Sequence, residues 1–262
     1  MTLATIQRTL PALFIGHGSP MNAIERNSWT HGWREMAQSI AKPTAILCIS
    51  AHWETRGVGV CAAEQPETIH DFGGFPQALF DVRYPAPGDP ALARRVATLV
   101  KDVQVHVTTE WGLDHGAWSV LRVMYPEADV PVVQLSLDTS RPGRFHLDLA
   151  RELAPLRDEG VLILGSGNIV HNLRLFDFRN AAAPAPWAER ANALLRERIE
   201  AGDTAALADW HALGADVVLG VPTPEHYLPL LYALGARREG DKIHIFNDAV
   251  TSSLAMTSVR VG

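Results

Sequence analysis

The run Ala12-Leu13-Phe14-Ile15 and the segment after it, Gly16-His17-Gly18-Ser19-Pro20, decide the fold predicted for this chain. A short run of branched and aromatic residues is typical of a buried strand, and the glycines on either side of His17 indicate a tight turn at the carboxyl end of that strand. We therefore expect the imidazole of His17 to face a crevice at the end of the first strand.

Histidines recur at the same kind of position along the chain. The apolar run 45–50 stops just before His52, and other strand-like runs are followed, directly or after a short turn, by His115, His171 and His226. The carboxyl ends of parallel strands lie at one edge of a sheet, and ligands of open α/β sheets bind beyond that edge. The five histidines are therefore predicted to converge on one site.

Strand and helix signals alternate along most of the chain. Strands are predicted at residues 12–15, 45–50, 58–63, 103–108, 130–137, 161–164, 216–219, 242–247 and 253–261. Helices are predicted at about 30–41, 90–101, 114–124, 143–154, 187–200, 204–212 and 224–234, with a short helix after Gly167. This alternation predicts an α/β fold: a largely parallel central sheet with helices on both faces and the last strands antiparallel at an edge. The histidines at the strand ends then predict a metal site at the carboxyl edge of the strands.

Composition limits the classes of protein to consider. With 262 residues, 47% of them hydrophobic, the chain is long enough for one large domain over residues 1–262 and short for two. The formal charge of -6 gives no basic stripe, so nucleic acid is not an expected partner. No apolar run approaches the roughly 18 residues of a membrane span, and the N-terminus has no small-residue cleavage site. We therefore expect a soluble, cytoplasmic protein without a membrane partner; the sequence predicts no oligomeric state.

The two cysteines, Cys48 and Cys61, both lie inside apolar strand-like runs. Such positions are typical of packed thiols rather than of disulfides or metal ligands. We predict that both are reduced and buried.

A long segment rich in glycine and proline, residues 64–90, separates two predicted elements. Long ordered loops in compact domains are often functional, so we expect this one to lie over the site. Aromatic residues in it and near it are candidates either for walls of the binding site or for the core: Trp53, Phe72, Phe75 and Tyr84.

The remaining histidines lie in other settings. Five are predicted to be structural or solvated because they fall inside strands or helices or at a helix start: His31, His106, His146, His211 and His244. His70, in the long loop, is left open.

Capping residues predict that His171 and His226 stand in first helical turns. Asn168 and Thr223 are good N-cap residues three positions earlier. A helix N-terminus disfavours imidazolium, so both rings are expected to be neutral near pH 7. Glu225 either joins His226 in a two-histidine, one-carboxylate iron site or is an acid favoured by the dipole; the second is preferred, because adjacent helical side chains point roughly 100° apart.

Several histidines at strand ends, with glycine turns beside them, indicate metal binding. Three neutral histidines suit Zn(II), Fe(II), Cu or Ni by ligand type alone. Two functions are compatible with that pattern alone: a zinc-dependent hydrolase that activates a bound water, and a non-catalytic metal or small-molecule binding protein.

Six motifs in order carry a resemblance to a known family. They are Gly16-His17-Gly18-Ser19-Pro20, Ser50-Ala51-His52-Trp53, His70-Asp71-Phe72-Gly73-Gly74-Phe75-Pro76, Asp114-His115-Gly116-Ala117-Trp118, Gly165-Ser166-Gly167 with His171-Asn172-Leu173, and Pro222-Thr223-Pro224-Glu225-His226-Tyr227-Leu228-Pro229-Leu230. From about residue 12 to about 254 the chain resembles the class III extradiol ring-opening dioxygenases, and within them the DOPA 4,5-dioxygenase type.

The resemblance implies a role for each of the five histidines. His17, His52 and His226 match the positions that bind one divalent metal ion, expected to be Fe(II) for activity, with Zn(II) as another ion that the site can hold. His171 matches the catalytic acid/base, and His115 matches a histidine that bonds the substrate or dioxygen.

The implied reaction opens a catecholic ring, DOPA-like or otherwise substituted, with dioxygen to give a semialdehyde. His171, when neutral, would take a proton from the substrate hydroxyl and later return it. One departure is visible: plant members carry a histidine just before the Pro-x-Pro-Glu-His motif, where this chain has Val221. A plant-like substrate preference is therefore not implied.

Overall fold

One mixed sheet of eight strands and one two-stranded sheet occupy the part of the chain, residues 9–262, that the computed structural model describes. The strands are β1 (Ala12–Gly16), β2 (Ala45–Glu54), β3 (Val58–Cys61), β4 (Val105–Thr108), β5 (Val132–Leu137), β6 (Val161–Gly167), β7 (Ile243–Phe246), β8 (Val250–Thr251), β9 (Leu254–Ala255) and β10 (Ser258–Val261). Residues 1–8, to which the expectation about a cleavage site applies, lie outside the described residues.

The order in the large sheet is β4-β3-β5-β2-β6-β1-β10-β7. The four central strands β5, β2, β6 and β1 are parallel, while β10 and β7 run antiparallel beside β1. These findings confirm the predicted fold class and the antiparallel last strands. A feature that was not predicted is β3, which pairs antiparallel with β5 and parallel with β4.

Nine α-helices lie in the described chain. They are α1 (Ser28–Ser39), α2 (Gln77–Phe80), α3 (Pro90–Leu99), α4 (His115–Met124), α5 (Gly143–Leu153), α6 (Pro186–Ala201), α7 (Thr204–Ala208), α8 (Ala215–Gly220) and α9 (Leu228–Gly235). Several begin at side-chain caps of the expected type: Asn27 accepts from the Thr30 amide, and Asp114 accepts from the Ala117 amide.

Both faces of the sheet are buried, which explains why its central strands are continuous apolar runs. In β1, Ala12 and Phe14 point into the core that α3, α5, α6 and α9 cover. Leu13 and Ile15 point into the opposite core, beneath α1 and α4. The four central strands are thereby fixed between two helical layers, and their carboxyl ends meet at one edge.

The prediction of a strand at 216–219 is wrong, because these residues form α8. Val217 is fully buried, whereas Val218 and Leu219 are 42% and 40% exposed, so the apolar run turns one side to α6 and the other outward. Short apolar runs of this length cannot be assigned to strand or helix from periodicity alone. His226 therefore follows a helix rather than a strand.

The helix predicted from Pro224 begins only at Leu228, so His226 lies in the turn before α9. The His226 carbonyl accepts a hydrogen bond from the Asn168 amide at 2.8 Å, which diverts it from a helical ladder.

The helix predicted at Asn168 is also absent, and His171 lies in extended chain that bridges to Leu254. The Asn168 side chain binds the Gly18 amide and the Ala255 carbonyl instead of capping a helix. The argument that helix dipoles keep His171 and His226 neutral is therefore wrong for both residues.

Two other expectations can be compared with the structure. Cys48 and Cys61 are free and buried, which confirms the prediction for the thiols. Among residues 9–262, no helix combines the length and apolarity needed to cross a membrane.

Candidate metal centre

Three histidines from distant parts of the chain meet at the carboxyl edge of the sheet. His17 directly follows β1, His52 lies near the end of β2, and His226 stands in the turn before α9. One ring nitrogen from each lies within 4.8 Å of the other two. The ring centroids are 5.2 Å apart for His17 and His52, 5.3 Å for His17 and His226, and 5.1 Å for His52 and His226. The arrangement can hold one metal ion.

Glycines in β6 allow the His226 segment to lie directly on the strand. A Cβ atom on Gly167 would stand 2.1 Å from the His226 carbonyl oxygen, and one on Gly165 would stand 2.3 Å from the Pro229 carbonyl oxygen. Such distances are impossible for a side chain, so only glycine permits this approach. The sequence motif Gly165-Ser166-Gly167 thus has a structural reason.

Asn168 links the loops around the site. Its backbone amide donates to the His226 carbonyl, its Oδ1 accepts from the Gly18 amide at 3.2 Å, and its Nδ2 donates to the Ala255 carbonyl at 2.7 Å. The loops that carry His17 and His226 are therefore held against each other by the backbone and side chain of one buried residue.

The hydrogen bonds of Ser166 fix the tautomer of His17. The Ser166 hydroxyl donates to the Gly116 carbonyl at 2.6 Å, so at its other contact, 2.9 Å from His17 Nδ1, it acts as acceptor. Nδ1 of His17 therefore carries the proton, and Nε2 is left with a free lone pair. An unprotonated nitrogen is the form that binds a metal.

Glu225 plays the equivalent part for His226. Its Oε1 lies 3.0 Å from His226 Nδ1 and also accepts from the Thr223 hydroxyl at 2.8 Å. A carboxylate on Nδ1 leaves Nε2 of His226 as the lone-pair nitrogen, an arrangement common for histidines that bind metals. Glu225 is also within 4.8 Å of both His226 and His171, in a second group of potential ligands.

A polar atom without a partner supports the fit of a metal ion. Nε2 of His52 is buried and forms no hydrogen bond within the described chain. Leaving a buried polar atom unsatisfied costs about 1–3 kcal/mol. A cation among three neutral imidazoles would satisfy it, so the residues present suit a divalent ion.

Gly116, in the first turn of α4, lies in close contact with two of the rings. A Cβ atom there would stand 2.5 Å from Ser50 Oγ, 2.7 Å from His52 Cδ2 and 3.2 Å from His17 Nδ1. The helix can therefore approach both imidazoles only because this residue has no side chain.

Burial keeps the three rings neutral. It lowers the pKa of His17 and His226 well below the usual value, and repulsion by the neighbouring histidines adds to the effect. For His52, burial and then His115 lower the pKa to about 4. At pH 7 all three are neutral, as metal ligands must be.

His171 lies against this group of three histidines. Its ring stacks on that of His226, with centroids 3.5 Å apart and planes 7° apart. Burial lowers its pKa to about 4, against an opposing effect of the nearby Glu225 carboxylate. A neutral imidazole on a partly open face can accept a proton from a bound molecule.

His115 begins α4 and completes the group of five histidines. Its ring centroid lies 3.9 Å from that of His52 and 6.1 Å from that of His17. Asp71, from the long loop, accepts from both its backbone amide and its Nδ1, each at 2.9 Å. Burial alone would raise the pKa of Asp71, but the hydrogen bonds and charge of His115 hold it below its usual value.

The long loop reaches the site through neighbouring residues. Phe72 meets the His115 ring edge-on, with centroids 5.5 Å apart, and contacts Phe75. Tyr84 is buried, with its hydroxyl donating to the Tyr125 carbonyl, and Trp53 is buried. Phe72 is therefore the aromatic side chain of this set placed against the histidine cluster, while Tyr84 and Trp53 belong to the core.

The histidines predicted to be structural or solvated lie apart from the cluster. His146 is buried between the Tyr232 hydroxyl and the Asp138 carbonyl. His70, which was left open, contacts the Val82 carbonyl and packs on aromatic rings.

Sequence reasoning missed the roles of four residues that shape the site: it gave none to Asp71, Gly116 and Ser166, and it gave Asn168 the wrong one, a helix cap. All four stand in or directly beside quoted motifs. Their proximity to histidines was the available signal, but their partners come from distant parts of the chain.

Comparisons with known proteins find relatives over almost the whole chain. Residues 11–261 match the family described as the catalytic LigB subunit of aromatic ring-opening dioxygenase. The chain is 49% identical over 261 residues to a 4,5-DOPA dioxygenase extradiol of Escherichia coli K12, covering 97% of this chain and 95% of the relative. It is 40% identical over 248 residues to a 4,5-DOPA dioxygenase extradiol of Beta vulgaris, covering 90% of each.

A solved structure has the same fold. A crystal structure of an uncharacterized protein from Escherichia coli K12 superposes with a TM-score of 0.84 at 42% identity, covering 97% of this chain and all of the other.

Proposed function

The chain belongs to the LigB family and is an extradiol aromatic ring-opening dioxygenase, and we propose that it acts on a DOPA-like catechol with Fe(II) held by His17, His52 and His226. The observation that carries the proposal is the convergence of three neutral imidazoles around the unpartnered Nε2 of His52. The names of the relatives from Escherichia coli and Beta vulgaris support the choice of substrate.

The donor set supports a divalent ion bound through Nε2 atoms. Ser166 and Glu225 occupy the Nδ1 positions of His17 and His226, which leaves their Nε2 lone pairs free. Fe(II), when bound there, would supply positions for the two catechol oxygens and dioxygen and a route for electrons between them. Zn(II) would fit the same nitrogens but is redox-inactive, so we propose Fe(II) as the ion of the active enzyme.

His171 is the proposed acid/base. Its neutral ring can take the proton of a catechol hydroxyl on an imidazole nitrogen as the substrate binds. The Glu225 carboxylate, which has an oxygen within 4.8 Å of a His171 ring nitrogen, favours the resulting imidazolium. The proton is then available to return to the cleaved product.

His115 and Phe72 are proposed to hold the substrate. The Nδ1–H of His115 is engaged by Asp71, so its Nε2 is the nitrogen free to hydrogen-bond the substrate or dioxygen. Phe72, edge-on to that ring, offers an apolar surface for the aromatic ring of a catechol. The bond broken lies beside the two hydroxyls, and the product is a semialdehyde.

Membership of the LigB family decides against the two other functions compatible with a histidine cluster. A zinc-dependent hydrolase and a non-catalytic binding protein would each explain a three-histidine site, but neither explains the match over residues 11–261.

The test is reconstitution with Fe(II) without oxygen, followed by air and a panel of catechols with and without side chains. We expect yellow semialdehyde products, one dioxygen consumed per ring, and a preference for DOPA over catechol itself. Zn(II)-loaded protein is the control and should be inactive. No product from any catechol, with iron verified in the protein, would contradict the proposal.

A further inference from the structure

We infer that Asp71 is a positioning residue for the reaction, which sets the tautomer and the direction of the His115 imidazole. The expected effect of Asp71 on catalysis rests on the proposed function. Its effect on the tautomer of His115 does not, and can be measured without turnover.

Asp71 binds His115 at two points, one with each carboxylate oxygen. Oδ1 accepts from the backbone amide of His115 at 2.9 Å, and Oδ2 accepts from Nδ1 at 2.9 Å. Two bonds to one residue fix the backbone and the ring of His115 together, so rotation of the side chain would break one bond while the other persists. Hydrogen bonds to a carboxylate are stronger than neutral ones.

The Nδ1 contact decides the tautomer. An ionised carboxylate can only accept, so Nδ1 of His115 must carry a proton, and in the neutral ring Nε2 is then unprotonated. Nε2 thereby becomes the nitrogen available to a bound molecule.

Asp71 binds His115 but not the neighbouring His52. Nδ1 of His52 lies 3.6 Å from the same Oδ2, which is too long for a hydrogen bond. His115 has the shorter contact and the additional backbone bond. Loss of the Asp71 carboxylate should therefore affect His115 first and leave the three proposed metal ligands in place.

The hydrogen bond from the His115 backbone amide to Asp71 also helps to cap the start of α4. The first amides of a helix lack partners within the helix, and Asp71 supplies one for His115 while Asp114 caps the amide of Ala117. Asp71 stands in the loop 64–90, beside Phe72, whose ring is edge-on to His115. One loop therefore provides both the residue that directs the imidazole and an aromatic ring that borders it.

The direct test is the tautomer of His115, read by nitrogen-15 NMR of Zn(II)-loaded protein labelled at histidine. The His115 signals are assigned by their loss in His115→Gln. In the wild-type protein we expect a proton on Nδ1 and none on Nε2. In Asp71→Asn the amide Oδ1 can keep the backbone bond while its NH₂ faces the ring, so we expect the proton to move to Nε2. A wild-type ring protonated on Nε2 alone, or an unchanged tautomer in Asp71→Asn, would overturn the inference.

The catalytic consequence is tested by a double-mutant cycle. Asp71→Asn should lower kcat/KM by about tenfold or more in the wild-type background and by less than about twofold in the His115→Gln background, because residues that act through each other are not additive. Asp89→Asn makes the same substitution at the N-cap of α3, away from the site, so it is the matched control and should leave kcat/KM unchanged.

Losses that add in the double variant, or a loss of kcat/KM explained by lower metal content, would assign Asp71 a structural role only. If the wild-type protein opens no catechol, the proposed function fails while the tautomer measurement still decides the role of Asp71.

Discussion

The imidazole rings of His171 and His226 stack face to face, with centroids 3.5 Å apart. Nδ1 of His226 is hydrogen-bonded to Glu225, whereas within the described chain the ring of His171 is hydrogen-bonded to no other residue. Two adjacent rings thus have different attachments: one is fixed as a ligand would be, and the other is free to exchange a proton.

This difference predicts that His171→Gln separates chemistry from metal binding. General acid/base catalysis contributes roughly 10²- to 10⁴-fold, so kcat should fall within that range while the iron content stays at the wild-type level. Iron analysis and steady-state kinetics on the same preparation measure both. A variant that loses its iron would place His171 among the ligands instead.

The low pKa values of the cluster predict that protons compete weakly for the metal site. An exposed histidine is half-protonated near pH 6.5, whereas His52 has a pKa of about 4 because of burial and then of His115. The apparent affinity for Zn(II) should therefore change little as the pH falls from 7 to about 5 and should decrease as the pH approaches 4. Equilibrium dialysis against Zn(II) at stepped pH measures this affinity, and an affinity that already falls steeply just below pH 6.5 would contradict the prediction.

His146 should make the stability of the metal-free protein depend on pH. Burial lowers its pKa to about 4 in the folded state, against about 6.5 when unfolded. The unfolded chain then binds more protons between these values, so the contribution is complete above pH 6.5 and is lost as the pH falls towards 4. The loss should reach about 3 kcal/mol.

The measurement is the free energy of unfolding in urea at pH 7.5 and pH 4.5, for wild-type protein and His146→Gln. The stability of the variant should fall less between the two pH values than that of the wild type. His211→Gln, at an exposed histidine, is the matched control and should behave as the wild type does. If all three proteins lose the same free energy of unfolding between the two pH values, the assignment to His146 is refuted.

Gly116→Ala should damage the metal site through packing alone. The added Cβ would stand 2.5 Å from Ser50 Oγ and 2.7 Å from His52 Cδ2, so the ring of His52 or the helix must move. Overpacking of this kind typically costs about 1–3 kcal/mol, and we expect Zn(II) affinity to fall at least about tenfold. Gly73→Ala, whose added Cβ would have no neighbour within 4 Å, should keep both stability and affinity.

The sequence predicted the layers of the fold because buried parallel strands are long apolar runs, such as those in β2 and β6. It could not predict that β3 runs antiparallel to β5, because strand direction depends on the path of the loop and not on the residues of the strand. It also placed 216–219 in a strand, where α8 forms.

His226 was placed in the cluster for a partly wrong reason. The predicted strand before it is a helix, and the predicted helix around it is a turn held by the Asn168 amide. Asp71 was quoted in a motif, but its bond to His115, 44 positions away, depends on tertiary contacts that no local pattern contains. Local patterns thus indicated which residue types gather, and the long-range hydrogen bonds determine how each one is oriented.

The three-histidine metal site is tested most directly by anomalous scattering at the iron edge from crystals of Fe(II)-loaded protein grown without oxygen. We predict a single iron within bonding distance, about 2.1 Å, of Nε2 of His17, His52 and His226, with Glu225 still on Nδ1 of His226. Iron bound elsewhere, or bound with Glu225 or His171 in place of one of these three nitrogens, would contradict it.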